Sequence, residues 1–298
     1  MDILIYLDIL GNKIVFTDKN NYETLFEIKD AGAADGIQVD EANGKIYWTD
    51  MGRYHEGEVF PKNDGAVWKA DIDGKNKTLL VGNGDMYTGK QLCLDHEAQV
   101  LYFCDREGGR VLSCKTDGSN FKTLVSRGKR DSLPVDILDQ CVGITLDKKR
   151  KSILWTQKGP SKGGLGAIYR CGMVTNSDDP EKRNDIEVLR DKLPEPIDLY
   201  FDTDCDTLYW TDRGKEPEGN SLNKAKLDDE GLSNHQVIAT GFKETIGLER
   251  DEDNLYIADL SGALYKFSLQ TGTLTKEHQT AGMITGVAVT NSKVLALK

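Results

Sequence analysis

The chain has 298 residues, 38% of them hydrophobic and 29% charged, with a formal net charge of −11. That balance belongs to a folded globular chain and excludes disordered and fibrous classes. The acidic surplus argues against nucleic acid and anionic membrane as partners, because both need a positive surface, and no apolar run reaches the roughly 18 to 20 residues of a membrane helix.

Residues 1–10 are apolar but carry no basic n-region and no small-residue cleavage site, so no signal peptide is expected. Residues 14–18 and 24–26 then read as short strands. A pattern sets in with Gly36-Ile37-Gln38-Val39-Asp40, followed by Tyr47-Trp48-Thr49-Asp50, and residues 67–71 turn at Asp73-Gly74 into Thr78-Leu79-Leu80. The same order returns as Gln91-Leu92-Cys93-Leu94-Asp95, Tyr102-Phe103-Cys104-Asp105, and residues 111–115 turning at Asp117-Gly118 into Thr123-Leu124-Val125. A third round opens with Gly143-Ile144-Thr145-Leu146-Asp147 and Leu154-Trp155-Thr156-Gln157, and a fourth with Asp198-Leu199-Tyr200-Phe201-Asp202 and Tyr209-Trp210-Thr211-Asp212. The fifth has Gly247-Leu248-Glu249-Arg250-Asp251, Tyr256-Ile257-Ala258-Asp259 and residues 264–268 turning at Thr271-Gly272; a last Gly286-Val287-Ala288-Val289-Thr290 stands near the C-terminus.

The aromatic tetrapeptides are spaced by 55, 52, 55 and 47 residues. Each unit is four short strands rich in β-branched and aromatic residues, separated by Gly and Asp turns. Four strands per repeat at that period predict an all-β, six-bladed β-propeller of four-stranded antiparallel blades. One domain is expected over 1–298, its last blade built from about 1–30 plus 283–298, which closes the ring and removes exposed sheet edges.

The six cysteines form no C-x-x-C pair, and no His stands at zinc-ligand spacing, so a structural zinc site is not expected. Without a signal peptide the reducing cytoplasm is the expected compartment. Cys93, Cys104 and Cys114 are placed on successive strands of one sheet as small buried apolar residues. The triplet Asn76-Lys77-Thr78 matches a glycosylation acceptor but is incidental in that compartment.

The tetrapeptide, in register across the chain, resembles the YWTD six-bladed propellers of the low-density-lipoprotein-receptor class. The likeness is closer still to stand-alone YWTD or SMP-30-like proteins of fungi and bacteria. The receptor class is flanked by cysteine-dense EGF modules and is extracellular; neither modules nor a leader are visible here, so a stand-alone protein is expected. The Asp after Trp-Thr is a structural feature of that family, and the resemblance implies inter-blade hydrogen bonds for Asp50, Asp105, Asp212 and Asp259.

In a propeller the loops entering the inner strands, and those joining second to third strands, gather around one channel mouth, where function concentrates. Departures of the repeats from their own consensus therefore mark the candidate site. At the inner-strand entries Lys90, Gln91, Glu195 and Asp198 replace the common glycine or precede it, with Asp35 and Glu244 at comparable entries. The prolines bracketing Glu195 fix its backbone. After the tetrapeptides come Arg106, Glu107, Lys158 and Arg213, with Gln140 and Gln157 as further ligand-binding candidates from the third blade. Acids at Asp35, Glu107, Glu195 and Asp198 are expected to face bases at Lys90, Arg106, Lys158 and Arg213 around one opening. The long insertion at 53–61 reads as a lid carrying His55, which titrates near neutrality and can act as acid or base.

No G-x-S-x-G elbow, H-E-x-x-H, Walker loop or G-x-G-x-x-G after a strand is present. SMP-30-like lactonases hold a divalent metal at the channel mouth with carboxylate and amide oxygens. Glu195, Asp198, Asp35 and Gln91 would have to imitate that set, although those enzymes' Asn ligands have no counterpart here. No cofactor is expected, with a divalent cation (Ca2+ or similar) at the mouth as the alternative. The expectation is a small-molecule-binding propeller and non-redox enzyme: hydrolase or lactonase, lyase, isomerase or cyclase. Glu195 or Asp198 would be the general base, and Lys90, Arg106 or Gln91 would polarise a carbonyl. The alternative is a protein- or peptide-binding YWTD module without catalysis, whose rim docks a basic partner. Neither nucleic acid nor membrane is an expected partner, and a homo-oligomer is compatible with the sequence.

Overall fold

The computed structural model describes residues 2–53, 60, 62–128, 133–174, 179–291 and 293. In chain order the strands are β1 (Asp2–Asp8), β2 (Lys13–Asp18), β3 (Thr24–Lys29), β4 (Ala34–Asp40), β5 (Lys45–Asp50), β6 (Ala66–Asp71), β7 (Thr78–Val81), β8 (Gly89–Asp95), β9 (Val100–Asp105), β10 (Arg110–Lys115), β11 (Lys122–Ser126) and β12 (Ile144–Asp147). There follow β13 (Ser152–Gln157), β14 (Gly166–Gly172), β15 (Glu187–Leu193), β16 (Pro196–Asp202), β17 (Thr207–Asp212), β18 (Ser221–Asp228), β19 (Gly231–Thr240), β20 (Thr245–Asp251), β21 (Asn254–Asp259), β22 (Ala263–Ser268), β23 (Leu274–Gln279) and β24 (Ile284–Asn291). Among the described residues they form six four-stranded antiparallel sheets. The inner strands β4, β8, β12, β16, β20 and β24 stand side by side in that order, and β24 returns beside β4, so the molecule is a six-bladed propeller.

Both ends of the chain build the sixth blade. β1 pairs with β24 through Ile3↔Thr290, Leu4↔Val289 and Tyr6↔Val287, and with β2 on its other side. The apolar opening of the sequence is thus the second strand of this blade, the counterpart of the Tyr-Trp-Thr-Asp strands elsewhere.

A β-strand sends consecutive side chains to opposite faces, and the tetrapeptide uses this to bind two neighbours at once. Tyr47 packs with Val67, Leu92 and Phe103 in the seam between the first and second blades. Trp48, one residue on, packs with Ile5, Phe16 and Ile46 in the seam toward the sixth. Trp155 and Trp210 repeat this in the second–third and third–fourth seams.

The inner strands touch backbone to backbone. A Cβ on Gly143 would lie 2.0 Å from Ile197 O, and one on Gly247 2.4 Å from Thr285 O. These glycines are needed for space between blades rather than for an unusual φ. The Thr of the tetrapeptide stitches the same seam: Thr49 Oγ1 accepts Gly36 N–H at 2.9 Å and donates to Lys90 O at 2.7 Å. Thr156 bridges Gly143 and Ile197, and Thr211 bridges Asp198 and Ile246, in the same way. Where the second blade has Cys104 instead, its Sγ lies 3.5 Å from Gly143 O.

The expectation for the tetrapeptide Asp is corrected. Asp105 accepts the N–H groups of Tyr87 and Thr88, Asp212 that of Glu195, and Asp259 that of Lys243. Each clamps the segment that enters its own blade, because the carboxylate sits where that segment turns down into the inner strand. Inter-blade bonding falls to the preceding Thr.

Candidate functional site

Two rings of equivalent positions surround the upper end of the axis. The residue after the tetrapeptide strand is Ile9, Met51, Arg106, Lys158, Arg213 or Leu260 in turn. Its character splits the ring: cations on the second, third and fourth blades, apolar side chains on the fifth, sixth and first. The residue just before the Gly36, Gln91, Gly143, Asp198, Gly247 or Gly286 position of each inner strand is Asp35, Lys90, Val142, Ile197, Ile246 or Thr285. Val142, Ile197 and Ile246 close together into a small apolar plug, which leaves Asp35 and Lys90 as the charged pair of this lower ring.

Above the plug lies a cavity of about 500 Å³. Its wall mixes polar side chains, Asn12, Asp35, Lys90, Arg106, Arg213 and Thr285, with apolar ones, among them Ile9, Met51, Phe60, Ile246, Leu260 and Met283. Three cationic side chains thus meet one carboxylate on its wall, in a protein of net charge −11.

Asp35 is 1% exposed and Lys90 7%. Lys90 Nζ donates to Asp35 Oδ1 at 2.8 Å and lies 3.1 Å from Met51 Sδ. Gln91 Nε2 donates to Asp35 Oδ2 and O, both at 3.2 Å. Burial lowers the Lys90 pKa against the pull of Asp35, and Arg106 pushes the same way as burial. Arg106 is held by Glu107, Nε at 2.8 Å and Nη2 at 2.6 Å from Oε1, and its guanidinium lies over the Phe60 ring.

Glu195 is fully buried and does not line the cavity. Its Oε1 accepts from Lys158 Nζ at 3.0 Å and Arg213 Nε at 2.8 Å, and Oε2 from Lys162 N–H at 3.0 Å. Burial alone would raise its pKa; the Arg213 and Lys158 charges outweigh that and lower it. Burial likewise lowers the Lys158 pKa. Glu244 stands 3.6 Å from Arg213 Nε and 3.2 Å from Lys162 Nζ at the outer end of this cluster. Glu195 is therefore a counter-ion that aims Arg213. It stands three residues before Asp198, and Glu244 three before Gly247, whereas Asp35 and Lys90 immediately precede their strand positions. That offset takes Glu195 and Glu244 out of the lower ring.

Asp198 and Gln91 face a different space, an axial cavity of about 110 Å³ shared with Cys93, Tyr200 and Glu249. Asp198 Oδ2 accepts Leu248 N–H of the next blade and Oδ1 accepts Leu199 N–H, both at 2.9 Å, and burial raises its pKa well above the usual range. Gln157 occupies the clamp place of the tetrapeptide Asp, 2% exposed, and its Nε2 has no partner among the described residues. Gln140 follows the 3-10 turn Ile137–Asp139 and does not line the mouth cavity. His55 lies outside the described residues.

These carboxylates do not fit a cation cage. The oxygens of Asp35, Glu195 and Asp198 are taken by ammonium, guanidinium, amide and backbone donors, and no three His, Cys, Asp or Glu side chains among the described residues group to hold a metal ion.

The apolar wall escapes a search for polar exceptions. Reading one aligned position around all six repeats would have found Met51, Leu260 and Ile9 opposite Arg106, Lys158 and Arg213.

No family model matches the chain. Among curated proteins it is 40% identical over 268 residues to a protein of Pyricularia oryzae named low-density lipoprotein receptor-related protein 1, covering 86% of this chain and 84% of that one. It is 37% identical over 255 residues to the 3-hydroxyacyl-CoA dehydrogenase-like protein LAM1 of Cochliobolus heterostrophus, covering 81% of this chain and 52% of that relative, about half its length. Among solved structures, a chain of the nidogen/laminin complex superposes with a TM-score of 0.73 at 18% identity, over 98% of this chain and 99% of that one. A gluconolactonase from Xanthomonas campestris superposes with a TM-score of 0.61 at 17% identity, over 96% and 88%. At such identities the superpositions speak for the fold alone.

Proposed function

The chain belongs to the YWTD-repeat six-bladed propeller family, with the Pyricularia oryzae low-density lipoprotein receptor-related protein 1 as a relative, and from that premise we propose that it is a small-molecule-binding propeller and a non-redox enzyme. Its ligand is a small organic anion with a hydrocarbon part, taken at the channel mouth. The observation that carries this reading is the split ring: Arg106, Lys158 and Arg213 on one arc, Leu260, Ile9 and Met51 on the other, over a recessed cavity. Ligand pockets are concave and largely apolar, with a few placed polar groups, and a desolvated guanidinium presents a planar fork suited to carboxylate or phosphate.

Within that reading Asp35 and Lys90 are the acid–base pair, because they reach the cavity wall and touch each other. Arg106 and Arg213 bind the anionic group; Glu195, Lys158 and Glu107 position them. The reaction is a hydrolysis or lactone opening, an elimination, an isomerisation or a cyclisation. The mouth is a recessed and largely apolar cavity with a few placed polar groups, which suits a small molecule better than a docked peptide and sets this reading above the module without catalysis. The six thiols, all free, suit a reducing compartment.

The test is a thermal-shift screen of matched carboxylates, phosphates and uncharged analogues, followed by turnover assays on lactones, esters and oxo acids. A ligand at about a hundred times its Kd should stabilise the protein by roughly 2.7 kcal/mol. Preference for anions with apolar tails, weakened by Arg213→Gln, is the expected result. Equal response to uncharged analogues, or no response to any, overturns the reading.

A further inference from the structure

Lys90 is a primary amine in the wall of a cavity, and its surroundings are those of a nucleophile. Nζ is fixed between Asp35 Oδ1 at 2.8 Å and Met51 Sδ at 3.1 Å. Its backbone is pinned by Thr49, and Asp35 is pinned from the far side by Gln91, so neither member of the pair swings away. Arg106, a second cation, lines the same cavity. An amine that is desolvated and set beside another cation is the arrangement that activates lysine toward carbonyl carbon. Consistently, burial and Arg106 lower its pKa against the attraction of Asp35.

Resting on the pocket proposed above, we infer that the Lys90 amine condenses with the carbonyl of a bound oxo acid to form a Schiff base. Arg106 or Arg213 holds the acid's carboxylate, and Met51, Phe60 and Leu260 cover its hydrocarbon part. Lys90 passes a proton to Asp35, and the nitrogen lone pair attacks the carbonyl carbon. A C–N bond forms as the C=O pair moves to oxygen, which takes a proton back from Asp35. The second nitrogen proton then leaves with the hydroxyl as water, breaking the C–O bond. Ammonium and carbonyl become iminium and water, with charge conserved and no oxidant or reductant. The substrate class is therefore a 2-oxo acid with an apolar side chain, and the chemistry that follows is elimination, isomerisation or carbon–carbon bond change next to the imine.

The probe is 2-oxo-4-phenylbutyrate with sodium cyanoborohydride, which reduces an imine to a stable secondary amine, read by peptide mass spectrometry. The companion ligand is 2-hydroxy-4-phenylbutyrate, which has the same shape and no carbonyl. Expected is modification of Lys90 about tenfold faster than the average of the other lysines, protection of Lys90 by the hydroxy acid, and loss of that adduct in Lys90→Arg. Binding of the oxo acid without an adduct on Lys90, or labelling spread evenly over exposed lysines, overturns the Schiff base and leaves the anion pocket standing. Absence of binding by either acid overturns the pocket and the Schiff base with it.

Discussion

Asp35 and Lys90 hold equivalent places on adjacent inner strands, and their side chains meet across the seam with Oδ1 2.8 Å from Nζ, both almost wholly buried. Removing one partner strands the other as an uncompensated buried group, which costs roughly 3–5 kcal/mol. Asp35→Asn and Lys90→Met should each lose stability of that order. The double variant should lose clearly less than the two losses summed, because the pair is coupled. Urea unfolding of the four proteins checks this; additive losses would refute the coupling.

Gly143 is required by space. Its Cβ would stand 2.0 Å from Ile197 O and 3.0 Å from Asp198 Cα, both backbone atoms of the next inner strand. Gly143→Ala must force the third and fourth blades apart, at about 1–3 kcal/mol. By contrast Gly272, a hairpin-turn glycine with nothing within 4 Å of its Cβ, has a φ of +68°. There Ala meets backbone strain alone, of about 1 kcal/mol. Thermal unfolding of both variants should rank Gly143→Ala as the more damaging.

Asp212 clamps the entry to the fourth blade, and burial raises its pKa to about 7. Between its unfolded value near 3.9 and that folded value the native state binds the extra proton. Stability contributed by this group therefore falls as pH rises through that window. Asp212→Asn keeps an oxygen acceptor for Glu195 N–H and removes the titration. The third blade already carries an amide, Gln157, at this place. Stability of the variant relative to the parent should grow between pH 4 and pH 7 by an amount of order a few kcal/mol; a pH-independent difference would contradict the assignment.

Glu195 has the opposite sign. Its folded pKa is lowered by Arg213 and Lys158 against burial. Its stabilisation is therefore fully present above the unfolded value near 4.3 and is lost as pH falls through the folded pKa. Glu195→Gln should lose about 3 kcal/mol near neutrality, with the gap to the parent closing in acid. Because Arg213 loses its anchor, affinity for an anionic ligand should also fall about tenfold, worth 1.4 kcal/mol. Calorimetry with the oxo-acid or hydroxy-acid probe reads this second effect; unchanged affinity would remove Glu195 from the positioning role.

Much of the architecture was legible in the repeats. The strands, the placing of Cys93, Cys104 and Cys114 on β8, β9 and β10, and the closure of the ring by β24 all follow from period-two patterning and turn residues. These are local properties that each repeat states independently, so errors in one copy are corrected by the others. The mouth was legible in part: Asp35, Lys90, Arg106 and Arg213 do line one cavity. Glu195 stands near an inner-strand entry, as a residue of that ring would, but its distance from the strand turns it into a buried counter-ion of Lys158 and Arg213. Asp198 and Gln91 point down the axis instead.

The amino-acid sequence by itself determined the blade, its number and its order, because hydrophobic periodicity and glycine placement act over a few residues. It also marked which blades carry polar exceptions. Which of those exceptions meet was decided only in the tertiary structure. Side chains from the first, second and fourth blades, and the apolar wall of the fifth and sixth, come together through the closing of the ring. One residue of register determines whether a carboxylate faces the cavity, the axis or a neighbouring cation, and burial at that point then sets its charge.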